Sequence, residues 1–300
     1  MKIPPAFLYI IMATVIWGAT PAIMKLTLTQ IPVFSLAFIR MFLASSILYF
    51  FVHKKLKIQK QDYLRFIILA ITGVTLNLTF FFLALTQTKA VNSAFLTPAV
   101  PILTIVAAHI YLKEKLDLKI ILAGIISLIG VIVIFNKPTG PTASREFIGN
   151  TFLLLSSLSW VAHEIIAKKL LKNYDGGTIA FYAMFIGAVT FFPLYIFEIF
   201  KYPLWITNVT SSGYLGLAYG IFFASLIAYW AWQKGLKNLP AGQASFFFYL
   251  DPITGSIVSY LLLGEQITPS LIFGGVLIAA GVLLAEYHRK YHPLHKKHGV

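Results

Sequence analysis

The sequence predicts an all-α integral membrane protein: ten transmembrane helices arranged as two inverted five-helix repeats, with the N- and C-termini on the cytoplasmic side. Three observations lead there: an apolar composition, ten apolar runs of spanning length, and an internal repeat holding an odd number of runs. Of 300 residues, 58% are hydrophobic and 11% charged, whereas soluble domains hold roughly 45–50% apolar and about 25% charged residues. A water-soluble core cannot hide that much apolar surface. The runs lie at 7–28, 33–52, 63–86, 91–112, 118–135, 147–171, 178–200, 213–235, 241–263 and 269–287, each near the roughly 20 residues that cross about 30 Å of hydrocarbon. The first run exceeds the apolar core of a cleavable signal and leads into further spans, so it is expected to remain in the mature protein.

Charge gives the expected orientation. A net charge of +14 would suggest nucleic-acid binding in a soluble chain, but in a membrane protein basic residues are sorted by loop. With the N-terminus cytoplasmic, 18 Lys and Arg fall on inner segments and 5 on outer ends and loops, while Arg40 lies inside a span. The bias predicts a multi-pass protein of the cytoplasmic membrane whose basic face meets the inner leaflet, with the lipid bilayer rather than nucleic acid as partner. Cysteine is absent, which leaves neither disulfides nor thiolate metal sites.

The repeat is read from polar and special residues, because apolar matches between two membrane segments mean little. AVNSAFLTPAVPILTIVAAHIYLKEKLDLKIILAGIISLIGV from Ala90 aligns without gaps on AGQASFFFYLDPITGSIVSYLLLGEQITPSLIFGGVLIAAGV from Ala241. That register superposes Pro101 on Pro252, Glu114 on Glu265, Gly124 on Gly275 and Gly130 on Gly281. Upstream, WGATPAIMK (17–25) matches WVAHEIIAK (160–168). The units are a first repeat at 1–140, a second at 141–287 and a basic cytoplasmic tail at 288–300. Five spans per unit make the second enter from the opposite side, and inverted repeats give inward- and outward-open packings of similar energy.

Through WGATPAIMK, AFIRMFLAS and the paired LTPAVPILTIVAAHIYLKEKL and LDPITGSIVSYLLLGEQIT, nearly the whole chain resembles the EamA-type branch of the drug/metabolite transporter superfamily. The resemblance implies a ten-helix bundle around a central cavity, in relatives that mostly export small metabolites, commonly amino acids. The second span of the second half has no basic counterpart to Arg40, so a role carried by that arginine is not duplicated.

Polar groups facing lipid are penalised, so working residues are expected near the midplane around a cavity. Counting from span ends places Trp17, Asn77, Pro98, Pro101, Trp160, His163, Glu164, Tyr229 and Asp251 there. Asp251 is the strongest candidate: an acid at mid-span costs about 2.5–3.5 kcal/mol to insert, and Pro252 beside it disturbs the helix ladder. It suits a substrate ammonium or a coupling proton; the alternative is a protonated acid buried in packing. His163 and Glu164 are neighbours about 100° apart on one helix, so at most one faces the cavity centrally. Arg40 could pair with a substrate carboxylate through its planar fork, or snorkel to headgroups. Trp17, Trp160 and Tyr229 suit stacking on a ligand and equally suit ordinary packing. Lys25 with Glu265 at the outer face, and their repeat partners Lys168 with Glu114 at the inner face, form two opposite-charge sets. These fit gating contacts, or snorkelling lysines beside acids that favour helix N-termini.

The expected function is therefore secondary transport, outward across the cytoplasmic membrane, of a small-molecule substrate such as an amino acid. A sugar-phosphate or nucleotide-sugar exchanger of the same fold would need several midplane cations. A lipid-modifying intramembrane enzyme would need a catalytic pattern, and HExxH, GxSxG and P-loop sequences are all missing. Neither cofactor nor metal is expected, since Pro293 interrupts the histidines at 288, 292, 295 and 298. Small residues in LAGIISLIG and FGGVLIAAG fit helix packing within one subunit or in a homodimer.

Overall fold

The computed structural model describes residues 4–97, 99–113, 118–135 and 143–266, and beyond these 269–270, 272–277, 280–281 and 284. Among the described residues nine helices follow one another: α1 (Pro5–Leu28), α2 (Val33–Val52), α3 (Lys60–Leu85), α4 (90–112), α5 (Leu118–Phe135), α6 (Ala143–Leu170), α7 (Gly176–Lys201), α8 (Ser211–Asn238) and α9 (Ala241–Leu263). The described residues of the last apolar run are helical as well. By length and composition, α1, α2, α3, α7, α8 and α9 can each cross a membrane. In hydrocarbon the backbone has no water to bond, so a helix, which satisfies its own ladder, is the form these runs must take. The start of α6 lies a turn before its apolar run, because Ser144, Arg145 and Glu146 are polar yet compatible with a helix that continues past the hydrocarbon.

The helices are interrupted at matched places. Within α3 the residues Ile71–Leu76 form a π-helical segment, and within α8 so do Gly220–Ile227. Such segments shift the bonding ladder by one residue, and helices bend there. Helix α4 is made of Ala90–Leu96 and Ala99–Leu112, while α9 passes through a 3₁₀ turn at Phe246–Leu250 just before Asp251 and Pro252. Ala90 aligned on Ala241 is an offset of 151 residues, and by that offset both kinds of interruption fall at equivalent positions of the two repeats.

The pseudo-symmetry extends to single bonds. Lys25 Nζ, on α1, donates to Thr88 O at 2.7 Å, and Lys168 Nζ, on α6, donates to Leu239 O at 2.6 Å; Thr88 and Leu239 are again 151 apart. Thr88 Oγ1 also donates to Asn150 Oδ1 at the start of α6. Lys25 therefore marks one end of the bundle and Lys168, at the last turn of α6, the other. Helix α9 ends on Gly264, whose φ of 64° is the left-handed conformation of a helix C-cap, and its repeat equivalent Lys113 ends α4 with φ of 60°. The turn at Gly264 returns the chain so that Glu265 faces the start of α4.

At the Lys168 end, the segment between α2 and α3 is strapped to α7. Thr178 Oγ1 donates to Lys55 O and Tyr182 Oη to Leu56 O, while Tyr174 Oη donates to the buried Asp62 carboxylate at 2.7 Å. Asp175 accepts from Gly177 N and from Lys234 Nζ. Partial burial pushes its carboxyl up, but these two donors together with the charge of Lys55 outweigh burial and hold it below the usual carboxylate range.

Because no atom lies within 4 Å of a methyl added at Gly264, substitution there tests backbone strain alone. Gly264→Ala is expected to cost about 1 kcal/mol, the penalty of left-handed backbone for an L residue, read as a lowered melting temperature in detergent.

Candidate functional site

Helices α1, α2, α3, α4, α6, α8 and α9 converge on a cavity of about 120 Å³. By the same measure a water needs about 10–15 Å³, so the space suits a ligand with on the order of ten heavy atoms. Its lining on α1 runs from Trp17 to Pro21, on α3 from Asn77 to Phe81, on α4 from Ser93 to Val100 and on α6 from Leu153 to Trp160. All of these lie between the level of Trp17 and the Lys25 end. Pro21 adds a main-chain acceptor, since it lacks the N–H that would bond the Trp17 carbonyl.

An aromatic layer forms the floor. The Trp17 ring centroid is 5.0 Å from Trp160, 5.5 Å from Tyr229, 5.5 Å from Trp232 and 6.1 Å from Phe248. Below it, His163 stacks on Trp160 at 4.9 Å. Its Nδ1 lies 2.9 Å from Leu69 O and its Nε2 lies 2.9 Å from Gln233 Nε2. A carbonyl only accepts, so Nδ1 carries the proton and Nε2 accepts from the amide. Glu164 is buried against α4, where Thr104 Oγ1 donates to Oε2 at 2.9 Å. Neither His163 nor Glu164 lines the cavity: the first lies behind Trp160, and the second points toward α4.

The other midplane candidates come together. Trp17, Asn77, Trp160, Tyr229 and Asp251 all line the cavity, joined by Arg40. Asn77 Nδ2 donates to Ser156 O and Oγ, both at 2.9 Å, tying α3 to α6. Arg40 is 2% exposed; its Nε donates to Gly220 O at 3.2 Å and its terminal nitrogens donate to Ser225 Oγ and Met24 Sδ, with Phe82 beneath at 5.4 Å. No carboxylate among the described residues lies within 4 Å of it. Asp251 is 4% exposed, and its Oδ1 has no hydrogen-bond partner among the described residues. The indole N–H of Trp160 is likewise buried and unpartnered there. A buried charge facing only neutral groups is costly, so a ligand that supplies the missing partner binds with that cost relieved. Helix α9 reaches this depth through close packing on α1 and α4: a methyl at Gly255 would lie 2.6 Å from Ala94 Cβ and 3.0 Å from Gly18 O.

At the Lys25 end, Lys25 Nζ lies 3.1 Å from Glu265 Oε1. Glu265 also accepts from Ala90 N at 3.0 Å and Val91 N at 2.8 Å, where the positive end of α4 favours an acid. At the opposite end Lys168 donates to Leu236 O and Leu239 O. Glu114, Pro98 and the tail histidines lie outside the described residues, whereas Pro101 is buried in α4. The sequence reading missed Phe248, Gln233 and the carbonyls of the π segments; mid-span Gly73 and Gly220 were the signal for the last.

Apolar helices long enough to span a bilayer, interrupted near a central, mostly apolar cavity that Arg40, Asn77 and Asp251 also line, define the class: a multi-pass membrane transporter. The EamA-like transporter family model matches residues 4–136 and 147–287, and the chain belongs to that family. An uncharacterized transporter of Clostridium kluyveri is 29% identical over 234 residues, covering 77% of this chain and 74% of its own. One of Archaeoglobus fulgidus is 27% identical over 290 residues, covering 94% and 98%, and the Bacillus subtilis uncharacterized transporter YyaM is 27% identical over 235 residues, covering 78% and 76%. A protein crystal structure with TM-score 0.71 and 13% identity, covering 97% of this chain and 100% of its own, shares the fold. The family makes this chain a transporter and not an enzyme.

Asp251 aligns with Val100, which also lines the cavity. Asp251→Val, by removing an unpartnered carboxyl and keeping the volume, is expected to stabilise the fold by about 1–3 kcal/mol. The check is a thermal melt in detergent, in which a lowered midpoint would contradict the assignment of Asp251 as an unsatisfied buried group.

Proposed function

We propose that the protein is a secondary transporter that exports small metabolites such as amino acids across the cytoplasmic membrane by alternating access. In this reading ten helices span the bilayer, both termini are cytoplasmic, and the Lys25 end faces out. One observation carries the substrate class: the same cavity is lined by Arg40, which has no carboxylate partner among the described residues, and by Asp251, one carboxyl oxygen of which is unpartnered among them. A substrate carboxylate suits the free N–H groups of Arg40, and a substrate ammonium suits Asp251 and the aromatic faces of the floor. Arg40 is the one cation among the described lining residues, which fits a phosphate-bearing substrate poorly. With no nucleotide-binding motif in the sequence, a concentration gradient drives the cycle.

Purified protein in liposomes, loaded with a labelled amino-acid mixture, tests this directly. Efflux above that of empty liposomes is expected, and Asp251→Asn is expected to lower it at least tenfold with the same amount of inserted protein. Unchanged efflux in the variant would remove Asp251 from the site.

The two ends of the bundle serve as gates in this reading, with Lys25 and Glu265 helping to close the outer one. A single partly buried ion pair contributes modestly and acts by biasing a balanced equilibrium. Lys25→Glu is expected to increase labelling of a cavity cysteine from the outer side, and adding Glu265→Lys to reverse that increase. Two independent anchors would instead give effects that add without rescue.

A further inference from the structure

We propose that Tyr229 and Trp17 are positioning residues for the transport step: each lines the cavity with its ring and holds, through its one polar hydrogen, a main-chain carbonyl of a π segment. What occupies the cavity thereby sets how α3 and α8 bend. The inference rests on the alternating-access reading and adds where the bending occurs and which side chains control it.

Four bonds support it. In α3, Gly73 O accepts from Tyr229 Oη at 3.0 Å, and just before the π segment Leu69 O accepts from His163 Nδ1 at 2.9 Å. In α8, Ala224 O accepts from Trp17 Nε1 at 2.9 Å, and Gly220 O accepts from Arg40 Nε at 3.2 Å. Gly73 and Ala224 are 151 residues apart, as are Leu69 and Gly220, so the two repeats present the same pair of carbonyls. The donors are not repeat equivalents and come from four different helices: α8, α6, α1 and α2. Gly220 O also accepts from Ser225 Oγ of its own segment at 2.7 Å, but the four donors above reach in from other helices, and three of them line the cavity.

The segments also admit these donors sterically. A methyl on Gly73 would fall 1.9 Å from the His163 ring, and one on Gly220 would fall 2.8 Å from Arg40 Cδ. The rings of Trp17 and Tyr229 touch edge to face at 5.5 Å, so a single contact at the cavity floor ties both π segments together. A ligand that shifts either ring pulls on a carbonyl that cannot turn to water for a substitute. A helix bends at a π turn more readily than in a regular stretch, which directs the response to α3 and α8.

In this structure the cavity lies on the Lys25 side of the floor, so the bonds to Gly73 and Ala224 help close the Lys168 side, while the Lys25–Glu265 contact, also made here, helps close the other. Removing the two bonds favours opening toward Lys168. The chain has no cysteine, so Thr97→Cys, on the cavity wall, gives a single reporter for a membrane-impermeant maleimide applied to right-side-out and inside-out vesicles. Tyr229→Phe keeps the ring and loses the hydroxyl. It is expected to shift the ratio of the two labelling rates about threefold toward the Lys168 side, the effect of one average hydrogen bond between membrane helices. Trp17→Phe is expected to shift it the same way, and if that variant fails to insert, Tyr229→Phe carries the test. Tyr182→Phe removes an equivalent hydroxyl bond, to Leu56 O outside the π segments, and is expected to leave the ratio unchanged. A ratio in Tyr229→Phe equal to that of the parent or of Tyr182→Phe would overturn the proposal. Equal labelling of the parent from both sides under every condition would overturn alternating access itself, and this inference with it.

Discussion

Every main-chain polar group inside a bilayer must find its partner in the protein, and that constraint organises the whole structure. It forces the apolar runs into helices, and it also makes any break in a helix informative, because each freed carbonyl has to be met by a donor. Here the breaks cluster around one cavity: π segments in α3 and α8, a gap in α4, a 3₁₀ turn in α9 and Pro21 in α1. At the two π segments and the turn before the first, the carbonyls of Ala224, Gly220, Leu69 and Gly73 accept from Trp17, Arg40, His163 and Tyr229, so side chains at the centre of the bundle also serve the backbone. Irregular backbone at membrane depth is tolerated where it lines a cavity, and the two features appear together in this chain.

The sequence made the helices legible because hydropathy is a property of about 20 consecutive residues, and the repeat was legible because proline, glycine and glutamate recur at fixed spacing. Trp17, Asn77, Trp160, Tyr229 and Asp251 could be placed by depth alone. What depth cannot give is azimuth. His163 and Glu164 have the right height, but His163 turns toward Leu69 and Gln233 and Glu164 toward Thr104, and no periodicity in a span that is apolar on most sides distinguishes those directions from the cavity. The π segments were illegible for a different reason: inserting one residue into a turn changes the bonding ladder without changing composition. Lys25 and Glu265 lie far apart in sequence, and only the repeat combined with the charge-derived topology puts them at one end of the bundle; the turn at Gly264 positions Glu265 there.

The symmetry of the two halves is close in the backbone and broken in the charges. AFIRMF at 37–42 aligns with AFYAMF at 180–185, so Arg40 stands where the second half has the buried Ala183. Asp251 stands where the first half has Val100. The backbone interruptions thus recur in both halves, while Arg40 and Asp251, which line the cavity, have no charged counterpart in the other half.

That asymmetry constrains how such a bundle can work. If the helices bend at equivalent π segments and the charges stay single, a bound molecule keeps the same two partners through the cycle and the barriers move around it. Arg40 belongs to both sets: it lines the cavity, and its Nε bonds the first carbonyl of the α8 π segment. A buried guanidinium without a carboxylate is costly, and an anionic group arriving beside it changes that cost at a point mechanically joined to α8. Under the proposed cycle, a group bound at Arg40 would act on the same side chain that holds the α8 carbonyl.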